Sequence, residues 1–379
     1  MRLFRLRVVV CLSGDCGSGP YFPPSRVLCD APNLQYWKGT LLNSIERVRN
    51  TIAGKPVDHL TCQPMLMQFA ASYSNMLFID YTKDGRKMAE AQLRVMRDFD
   101  IDVLLTCSDP AREVIDIAGD GSIEWFENQG PAIQEEKAAL ADKSRLKEFR
   151  MPDLDPKGRM YDRIIAEQIM RREAGPGASI CGWVEGPLAL AAELRGINRM
   201  MTDFSDDPEF ARDLLHYCAD VAILYADAQI AAGVDTIGMS DAAAGLLGPV
   251  LYKQFIVAEQ MRVFKHIKEK HPGVITRQHM CGKITKLAED FATLPVDIYE
   301  IDFPSDLAKI KAVVGDRVLS GNISTISDVF EGTAERVYDA IGRCHAICGK
   351  KFIVNCGCEV PPRSPVENIR AMVRYAKEH

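Results

Sequence analysis

The chain has no hydrophobic run long enough to cross a membrane. A spanning helix needs roughly 18 or more consecutive apolar residues, and no run of that length occurs in the 379 residues. There is also no long run of lysine or arginine, and the formal net charge is −6. Because binding to a phosphate backbone requires a concentrated positive surface, neither membranes nor nucleic acids are expected as partners.

Several common active-site motifs are also missing. The sequence contains no G-x-G-x-x-G, no H-E-x-x-H and no G-x-S-x-G, which argues against a dinucleotide-binding fold, a zincin-type protease and an α/β-hydrolase. The segment Cys281–Ile284 contains Gly-Lys but lacks the upstream glycine and the Ser or Thr of a phosphate-binding loop.

Cysteine is present but not concentrated. The 12 cysteines are scattered along the chain, whereas secreted scaffolds space them densely in short loops. We therefore expect reduced cysteines, most of them small buried apolar residues, and a cytoplasmic location.

The first 33 residues differ from the rest of the chain. Arg2, Arg5 and Arg7 precede a short apolar run, Val8–Leu12, whereas a secretory signal has about 7–15 apolar residues and a small-residue cleavage site. A functional signal is the alternative interpretation. We expect residues 1–33 to be a disordered tail or an over-extended reading frame, followed by one domain over residues 34–379.

The remaining sequence alternates predicted helices with predicted strands. Apolar residues make up 47% and charged residues 26%, which is ordinary for a globular protein and excludes a disordered or fibrous chain. An amphipathic helix is predicted over Leu41–Ile52, and a long helix from Pro208, capped by Asp207, to a stop at Gly233. The eight predicted strands are Leu60–Phe69, Asp102–Cys107, Ala178–Val184, Val234–Met239, Gly273–His279, Val296–Ile301, Arg317–Gly321 and Lys351–Asn355.

Strands separated by helices indicate parallel βα units, and eight of them are the number in a (β/α)₈ barrel. We predict this α/β fold, a TIM barrel with an insertion after strand 2. The insertion is expected over Ala111–Pro176, a polar, charged segment that would fold over the open end of the barrel. An open doubly wound sheet is the alternative.

Polar residues collect where the predicted strands end, which is where TIM barrels carry their catalytic groups. A single polar residue there is also explained by its meeting solvent. The candidates are, for substrate contacts, Gln68, Glu185 and Asn322 and, for catalysis, Asp241, Glu300 and Asp302.

The pair His279 and Cys281 points to a metal. Residues i and i+2 of a strand lie on the same side, so the imidazole and the thiolate can converge. Nitrogen and sulfur together suit zinc. Cys356 and Cys358 follow strand eight, which faces strand five across an eight-stranded ring. Three protein ligands would leave a fourth position open, as in catalytic zinc sites.

Four segments carry a resemblance to a known family. H-M-C-G-K-I-T at His279–Thr285, G-N-I at Gly321–Ile323 and G-C-E-V-P-P-R-S-P-x-E-N at Gly357–Asn368 resemble the uroporphyrinogen decarboxylase superfamily, and E-R-V-x-x-x-I-x-G-K-P-V-D at Glu46–Asp58 fits as well. The similarity extends roughly over residues 41–377. The branch it resembles is that of the cobalamin-dependent methyltransferases, which include methylcobamide:coenzyme M methyltransferases and methoxy-compound demethylases.

The resemblance implies a (β/α)₈ barrel and a zinc site with an H-x-C…C pattern. Carried over to this sequence, that pattern falls on His279, Cys281 and Cys358, while Cys356 departs from the usual pattern and leaves the third ligand open. The decarboxylases carry an R-Q-A-G-R segment after the first strand that clamps the acidic side chains of a tetrapyrrole. The matching place here, Gln68–Tyr73, has no arginine, so a substrate with many carboxylates has little to hold it.

The expected function is zinc-dependent transfer of a methyl group between a corrinoid (cobalamin), carried by a partner protein, and a small thiol or a methoxy or otherwise methylated substrate. Zinc would activate a thiol or stabilise a departing oxygen. Asp241, Glu300 and Asp302 would support the ligands, handle protons or supply a labile fourth ligand. The alternatives are decarboxylation of a porphyrinogen and a non-catalytic zinc-binding barrel.

Overall fold

The fold is an eight-stranded parallel sheet wrapped by helices. The computed structural model describes residues 41–109 and 111–379, so the expectation for residues 1–33 lies outside the described residues. The strands are β1 (Thr61–Cys62), β2 (Val103–Leu105), β3 (Ser179–Glu185), β4 (Thr236–Ser240), β5 (Ile275–Met280), β6 (Ile298–Ile301), β7 (Val318–Ser320) and β8 (Phe352–Val354). From β2 to β8, each strand pairs in parallel with the next, and β8 pairs with β1.

Helices connect the strands and cover the outside of the sheet. The α-helices are α1 (Ser44–Ala53), α2 (Gln68–Tyr73), α3 (Phe78–Lys83), α4 (Gly85–Phe99), α5 (Ala111–Ala118), α6 (Arg159–Ala174), α7 (Pro187–Arg195), α8 (Ile197–Asp206), α9 (Pro208–Ala232), α10 (Pro249–Leu251), α11 (Val257–Lys270), α12 (Ala288–Phe291), α13 (Leu307–Val314), α14 (Ala334–Cys348) and α15 (Val366–Glu378). Single turns of 3₁₀ helix lie at Glu135–Lys137, Lys143–Glu148, Ala242–Leu246 and Thr285–Leu287, and π turns at Tyr252–Ile256 and Thr325–Phe330.

The two ends of the sheet meet between β1 and β2. Asp102 donates its backbone N–H to the Cys62 carbonyl at 3.0 Å, and its carboxylate accepts the Cys62 N–H at 2.8 Å. Arg47 of α1 forms an ion pair with Asp102 and a second one with Asp58 at 2.8 Å. These contacts close the ring, and the predicted (β/α)₈ barrel is confirmed.

Six of the eight predicted strands agree with the observed ones to within one residue at their C-terminal ends, and the second ends at Leu105, two residues before the predicted end at Cys107. The first was wrong, because Leu60–Phe69 was predicted as one strand and only Thr61–Cys62 is extended in the sheet. Gln63 still donates to the Val354 carbonyl, but the next residue, Pro64, has no N–H to continue the ladder. Gln68, predicted as the end of this strand, is the first residue of α2.

The predicted helix boundaries depend on local caps. Helix α9 spans Pro208–Ala232 as expected, with the Asp207 side chain accepting the Phe210 N–H and Gly233 in the left-handed conformation at the end. The first helix begins at Ser44, three positions later than predicted, because Asn43 and Glu46 form a capping box there.

The segment after β2 contains an insertion, but a shorter one than predicted. Helix α6, the last part of the predicted range Ala111–Pro176, packs against α4, α9 and β3 as part of the outer layer of the barrel. The insertion proper carries a two-stranded hairpin, Ile123–Glu124 with Ala132–Ile133, and the short turn Glu135–Lys137. The sequence contained no signal that separated α6 from the rest, because α6 is as rich in charge as the loops before it.

Within the part of the chain that the structure describes, no helix has both the length and the apolar character needed to traverse a bilayer.

Candidate active site

A cavity of about 560 Å³ lies at the carboxyl ends of the strands. Its floor carries the ends of β3, β4 and β5, and its roof is the insertion, which contributes Pro131, Ala132 and Ile133. The predicted location over the open end of the barrel is therefore confirmed for this part of the insertion. The other lining residues include Met65, Met67, Ser108, Glu135, Trp183, Glu185, Ala189, Ala192, Glu193, Ser240, Ala242, Ala243, His279, Cys281, Cys358 and Glu359.

Three side chains on the cavity wall form a cluster with metal-ligand geometry. His279 Nε2 lies 3.2 Å from Cys281 Sγ and 3.8 Å from Cys358 Sγ, and the two sulfurs are 3.9 Å apart. With zinc–sulfur and zinc–nitrogen bonds of about 2.3 and 2.0–2.1 Å, a tetrahedral ion places two sulfurs ~3.8 Å apart and a sulfur and a nitrogen ~3.6 Å apart. Among the described residues, His279, Cys281 and Cys358 form a group of potential ligands whose donor atoms lie close enough together to hold a metal ion.

The local chain path explains the position of Cys281. His279 is the fifth residue of β5 and Cys281 follows the last, so both side chains are on one side of the strand. Gly282 then turns the chain with φ at +86°, a conformation that favours glycine. Its N–H donates to Asp302 Oδ2 at 2.6 Å, so the carboxylate after β6 holds the loop that carries Cys281.

The structure distinguishes between the two candidate cysteines after β8. Cys356 forms an isolated parallel bridge with Ile323, is fully buried, and donates its thiol to the Cys358 carbonyl at 2.9 Å. Cys358, two residues further on, points to His279 and Cys281. The third member of the cluster is therefore Cys358, as the family pattern implied.

The cysteines of the cluster also differ from the others in exposure. Of the nine described cysteines, all free, only Cys281 and Cys358 are partly exposed, and both line the cavity. The other seven are buried, as expected for small apolar residues. A hydrogen bond with Cys281 and burial, with a smaller repulsion between the two sulfurs when both are charged, raise the pKa of Cys358. A bound cation would remove that repulsion and keep both sulfurs ionised.

An acidic group supports the histidine from behind. His279 Nδ1 lies 3.7 Å from Glu300 Oε2 and has no hydrogen-bond partner among the described residues. Glu300 is held by Arg277, whose Nε donates at 2.6 Å, and by the Asn355 amide. Burial opposes the charged imidazole, but Cys358 and Glu300 together raise the pKa of His279. A carboxylate behind a histidine is a frequent support for a zinc ligand.

The other two predicted catalytic carboxylates lie outside the cavity lining. Asp241 is fully buried and accepts hydrogen bonds from the Ala189 N–H and the Gln260 amide, each at 2.8 Å. Burial raises the pKa of Asp241 to about 6. Asp302 accepts from Gly282 and from its neighbour Phe303 at 2.7 Å. Asp241 thus holds the start of α7, and Asp302 holds the loop of a cluster cysteine.

The three predicted substrate residues lie in different places. Glu185 lines the cavity and accepts the Ser108 hydroxyl at 2.7 Å. Gln68 reaches the cavity only through Glu359, to which its N–H donates at 2.6 Å. Asn322 lies away from the cavity and donates to the Asp302 and Ser305 carbonyls.

Three other glutamates of the cavity wall were not predicted to have a role. Glu359 directly follows Cys358, and this adjacency was a usable signal. Glu193 on α7 and Glu135 in the insertion follow no strand end, so nothing in the sequence marked them. Burial raises the pKa of Glu185, of Glu193 and of Glu359 to about 7 in each case.

Comparison with known proteins gives relatives on two branches. The methylcobamide:CoM methyltransferase MtaA of Methanosarcina barkeri is 29% identical over 231 residues, 60% of this chain and 66% of the relative. A uroporphyrinogen decarboxylase of Nostoc punctiforme is 31% identical over 242 residues, again 60% of this chain and 66% of the relative. The chain thus spans slightly under two thirds of the length of each of these curated relatives.

Among solved structures, a methyltransferase from Methanosarcina mazei matches 89% of this chain and 99% of its own, with a TM-score of 0.80 at 20% identity. This likeness establishes the fold. The family model described as uroporphyrinogen decarboxylase (URO-D) matches residues 43–379. The resemblance in the sequence is confirmed by this match, and methyltransferases are among the relatives. The chain belongs to the uroporphyrinogen decarboxylase (URO-D) family.

Proposed function

We propose that this protein is a zinc-dependent methyltransferase that moves a methyl group between a corrinoid, carried by a partner protein, and a small thiol or methylated substrate. The carrying observation is the cluster of His279, Cys281 and Cys358, whose distances suit a tetrahedral zinc ion with three protein ligands. Because the cluster borders a cavity, a substrate atom can take the fourth position.

When bound, the metal would either lower the pKa of a coordinated thiol or stabilise the charge on a departing atom. The chain supplies the rest. Glu300 orients the His279 ring through its Nδ1 side, and Asp302 fixes the turn after Cys281. We propose that Asp241 acts indirectly. It holds helix α7, and this helix carries Glu193 on the cavity wall.

The methyl transfer requires no additional oxidant or reductant. With a thiol acceptor, the bond between the methyl carbon and cobalt breaks, cobalt keeps the electron pair and passes from cobalt(III) to cobalt(I), and a carbon–sulfur bond forms. The thiol proton is released. With a methylated donor, cobalt(I) supplies the electron pair and the donor atom keeps the pair of the broken bond.

We assign the remaining predicted residues by their place relative to the cavity. Glu185 is proposed to contact the substrate directly. Gln68 is proposed to position Glu359, and Asn322 the loop that contains Asp302. The free cysteines of the described chain suit a reducing compartment, so we propose a cytoplasmic location.

Zinc content tests the metal. We expect nearly one zinc per chain in protein purified without added metal, and a loss of most of it in Cys281→Ala and in Cys358→Ala, because each removes one of three ligands. Cys356→Ala is the matched control and should retain its zinc, since this sulfur points away from the cluster. Equal zinc content in the wild type and both ligand variants would contradict the proposal.

Methyl transfer is tested with methylcobalamin. Loss of its absorption spectrum in the presence of a small thiol, dependent on Cys281 and Cys358, is expected. A porphyrinogen decarboxylase would instead form coproporphyrinogen. None of the described residues lining the cavity is an arginine or a lysine, so we expect no decarboxylation. Zinc that binds tightly but promotes neither reaction, with a fourth protein ligand in place, would indicate a structural site.

A further inference from the structure

The cavity wall carries four glutamates from four different elements. Glu185 ends β3, Glu193 belongs to α7, Glu359 follows β8, and Glu135 comes from the insertion. The remainder of the wall is largely apolar. Because these carboxylates arrive from separate parts of the chain, their convergence is a property of the folded cavity and of no single motif.

None of the four has a cationic partner among the described residues. Glu185 and Glu359 accept only from neutral donors, Ser108 and Gln68. Arg163 is buried beside this wall and its charge partly offsets the effect of burial on the pKa of Glu185, but its ion pair, at 3.9 Å, is with Glu113, and its guanidinium donates to the backbone carbonyls of Trp183 and Cys107.

Elsewhere in the barrel, several buried carboxylates are paired with an arginine, although Asp241 is held by neutral donors alone. Asp102 is paired with Arg47, Asp109 with Arg112, and Glu300 with Arg277. Burying a carboxylate without a cation is costly, and proteins normally avoid it. At the cavity, four glutamates lie without an ion pair, and burial raises the pKa of Glu185, Glu193 and Glu359 to about 7, so that an entering cation would favour their ionised form.

A zinc ion would not supply the missing charge. Two cysteine thiolates, Cys281 and Cys358, balance its two positive charges, while His279 adds none. The four glutamates lie outside the ligand set, so they can interact with a group that enters the cavity.

A second feature of the wall also lacks a partner. Trp183 lines the cavity and is 1% exposed, yet its indole Nε1 has no hydrogen-bond partner among the described residues. Buried indole N–H groups normally find an acceptor. The Arg277 guanidinium already lies over the Trp183 ring, 5.8 Å from its centroid, so the group that this residue can offer a ligand is its N–H, which needs an acceptor.

We propose that the small substrate of this site is a cation bearing an ammonium group, held by Glu185 and Glu193 of the cavity wall, close to the cluster of His279, Cys281 and Cys358. The inference rests on the proposed function and narrows it to a substrate class. It separates this protein from an enzyme for an anionic thiol such as coenzyme M, whose sulfonate would face the glutamates with no cation on the lining to bind it.

Three thiols of equal length test the sign of the charge. Binding of 2-aminoethanethiol, 2-mercaptoethanol and 2-mercaptoethanesulfonate to zinc-loaded full-length protein is measured by calorimetry. We expect the ammonium thiol to bind at least tenfold more tightly than the neutral one, and the sulfonate to bind more weakly than both. A second arm compares choline with its uncharged isostere 3,3-dimethylbutan-1-ol, which tests a methylated ammonium donor without a thiol.

Glutamine variants test whether Glu185 and Glu193 cause the preference for a cationic ligand. Glu185→Gln and Glu193→Gln keep the shape of the side chain and remove its charge, so each should reduce the preference for the cation about tenfold. Glu148→Gln, an exposed glutamate in the insertion, should leave it unchanged. A preference in the thiol arm identifies an acceptor, and one in the choline arm a methyl donor; either supports the proposal.

Equal or tighter binding of the sulfonate, with no preference for choline over its isostere, would overturn the inference. Zinc retention and methyl transfer to 2-mercaptoethanol would still stand in that case. Failure of the substrate class is thus distinguishable from failure of the methyltransferase function, which would appear as absent zinc or absent transfer to any thiol.

Discussion

At the scale of single residues, the convergence of His279, Cys281 and Cys358 was largely predictable, and the glutamates of the cavity wall were not. The spacing of His279 and Cys281 placed two donors on one side of a strand, which depends only on strand geometry. The choice of Cys358 over Cys356 came from the family pattern, because both are equally close to the strand end. The structure supplies the physical reason, which is the bridge between Cys356 and Ile323.

The acidic wall depends on contacts that are distant in sequence. Glu193 is an ordinary helix position in sequence terms, since glutamate is common on exposed helix faces. Only the packing of α7 beside the cavity turns it into part of the wall.

One prediction concerns the pH dependence of Glu193. Burial, with a smaller effect of Asp109, raises its pKa from the usual 4.5 to about 7. The folded state therefore holds this proton more tightly, and the stabilisation present below pH 4.5 is lost as the pH rises through 7. Glu193→Gln removes this dependence, so its advantage in the free energy of unfolding should grow between pH 5 and pH 8, to about 2 kcal/mol.

Denaturant unfolding of the metal-loaded protein at a series of pH values measures the effect. Glu148→Gln is the control, because its side chain is 72% exposed. A constant difference between Glu193→Gln and the wild type across this range would contradict the assignment.

At the scale of elements, alternation of short strands and long helices was sufficient to predict the barrel, but the limits of β1 and of the insertion were not predictable. The apolar run after Cys62 reads as a continuous strand, and the single missing N–H at Pro64 ends it. Helix α6 shares its composition with the insertion, and only its contacts with α4 and α9 show that it belongs to the barrel.

The close approach of the Ala242–Leu246 turn to β5 gives a second prediction. A Cβ added at Gly245 would overlap the Cys281 carbonyl oxygen, whereas one added at Gly248 would meet nothing within 4 Å. Gly245→Ala should therefore displace the loop that carries Cys281 and weaken zinc binding about tenfold or more.

Gly248→Ala should leave zinc affinity unchanged. Comparison of the two variants separates the effect of a local clash from the general effect of replacing a glycine. Competition with a chelator of known affinity provides the measurement. Identical affinities in the two variants would show that the Gly245 contact does not control the position of Cys281.

At the scale of the whole molecule, closure of the ring depends on charges that sequence analysis could not pair. Arg47 lies within a segment that resembles the family, yet its partners Asp58 and Asp102 are 11 and 55 residues away. The ion pair with Arg47 outweighs the effect of burial and lowers the pKa of Asp58 to about 2. No periodic pattern in the sequence indicates which charged residues pair in this network.

The third prediction tests this closure. Arg47→Ala leaves Asp102 buried without a counter-ion beside the β1–β2 contact, and removal of one partner of a buried pair typically costs about 3–5 kcal/mol. Arg49→Ala on the same helix is the control, because Arg49 is exposed and has only a long contact to the Gly273 carbonyl.

Urea unfolding near neutral pH should show the full loss for Arg47→Ala and less than about 0.5 kcal/mol for Arg49→Ala. Equal stability of the two variants would indicate that the ring closes without the Arg47 network.

The division of the cavity between floor and roof has a consequence for how this architecture can diversify. The proposed metal ligands lie at or just after the ends of barrel strands, and the insertion contributes Pro131, Ala132, Ile133 and Glu135 from a separate hairpin and turn. Exchange of that single stretch of chain would alter the shape and charge of the cavity above the proposed metal site while His279, Cys281 and Cys358 stay in place. New specificities can thus evolve by replacing one module, and an engineer can graft the same module from one homologue to another.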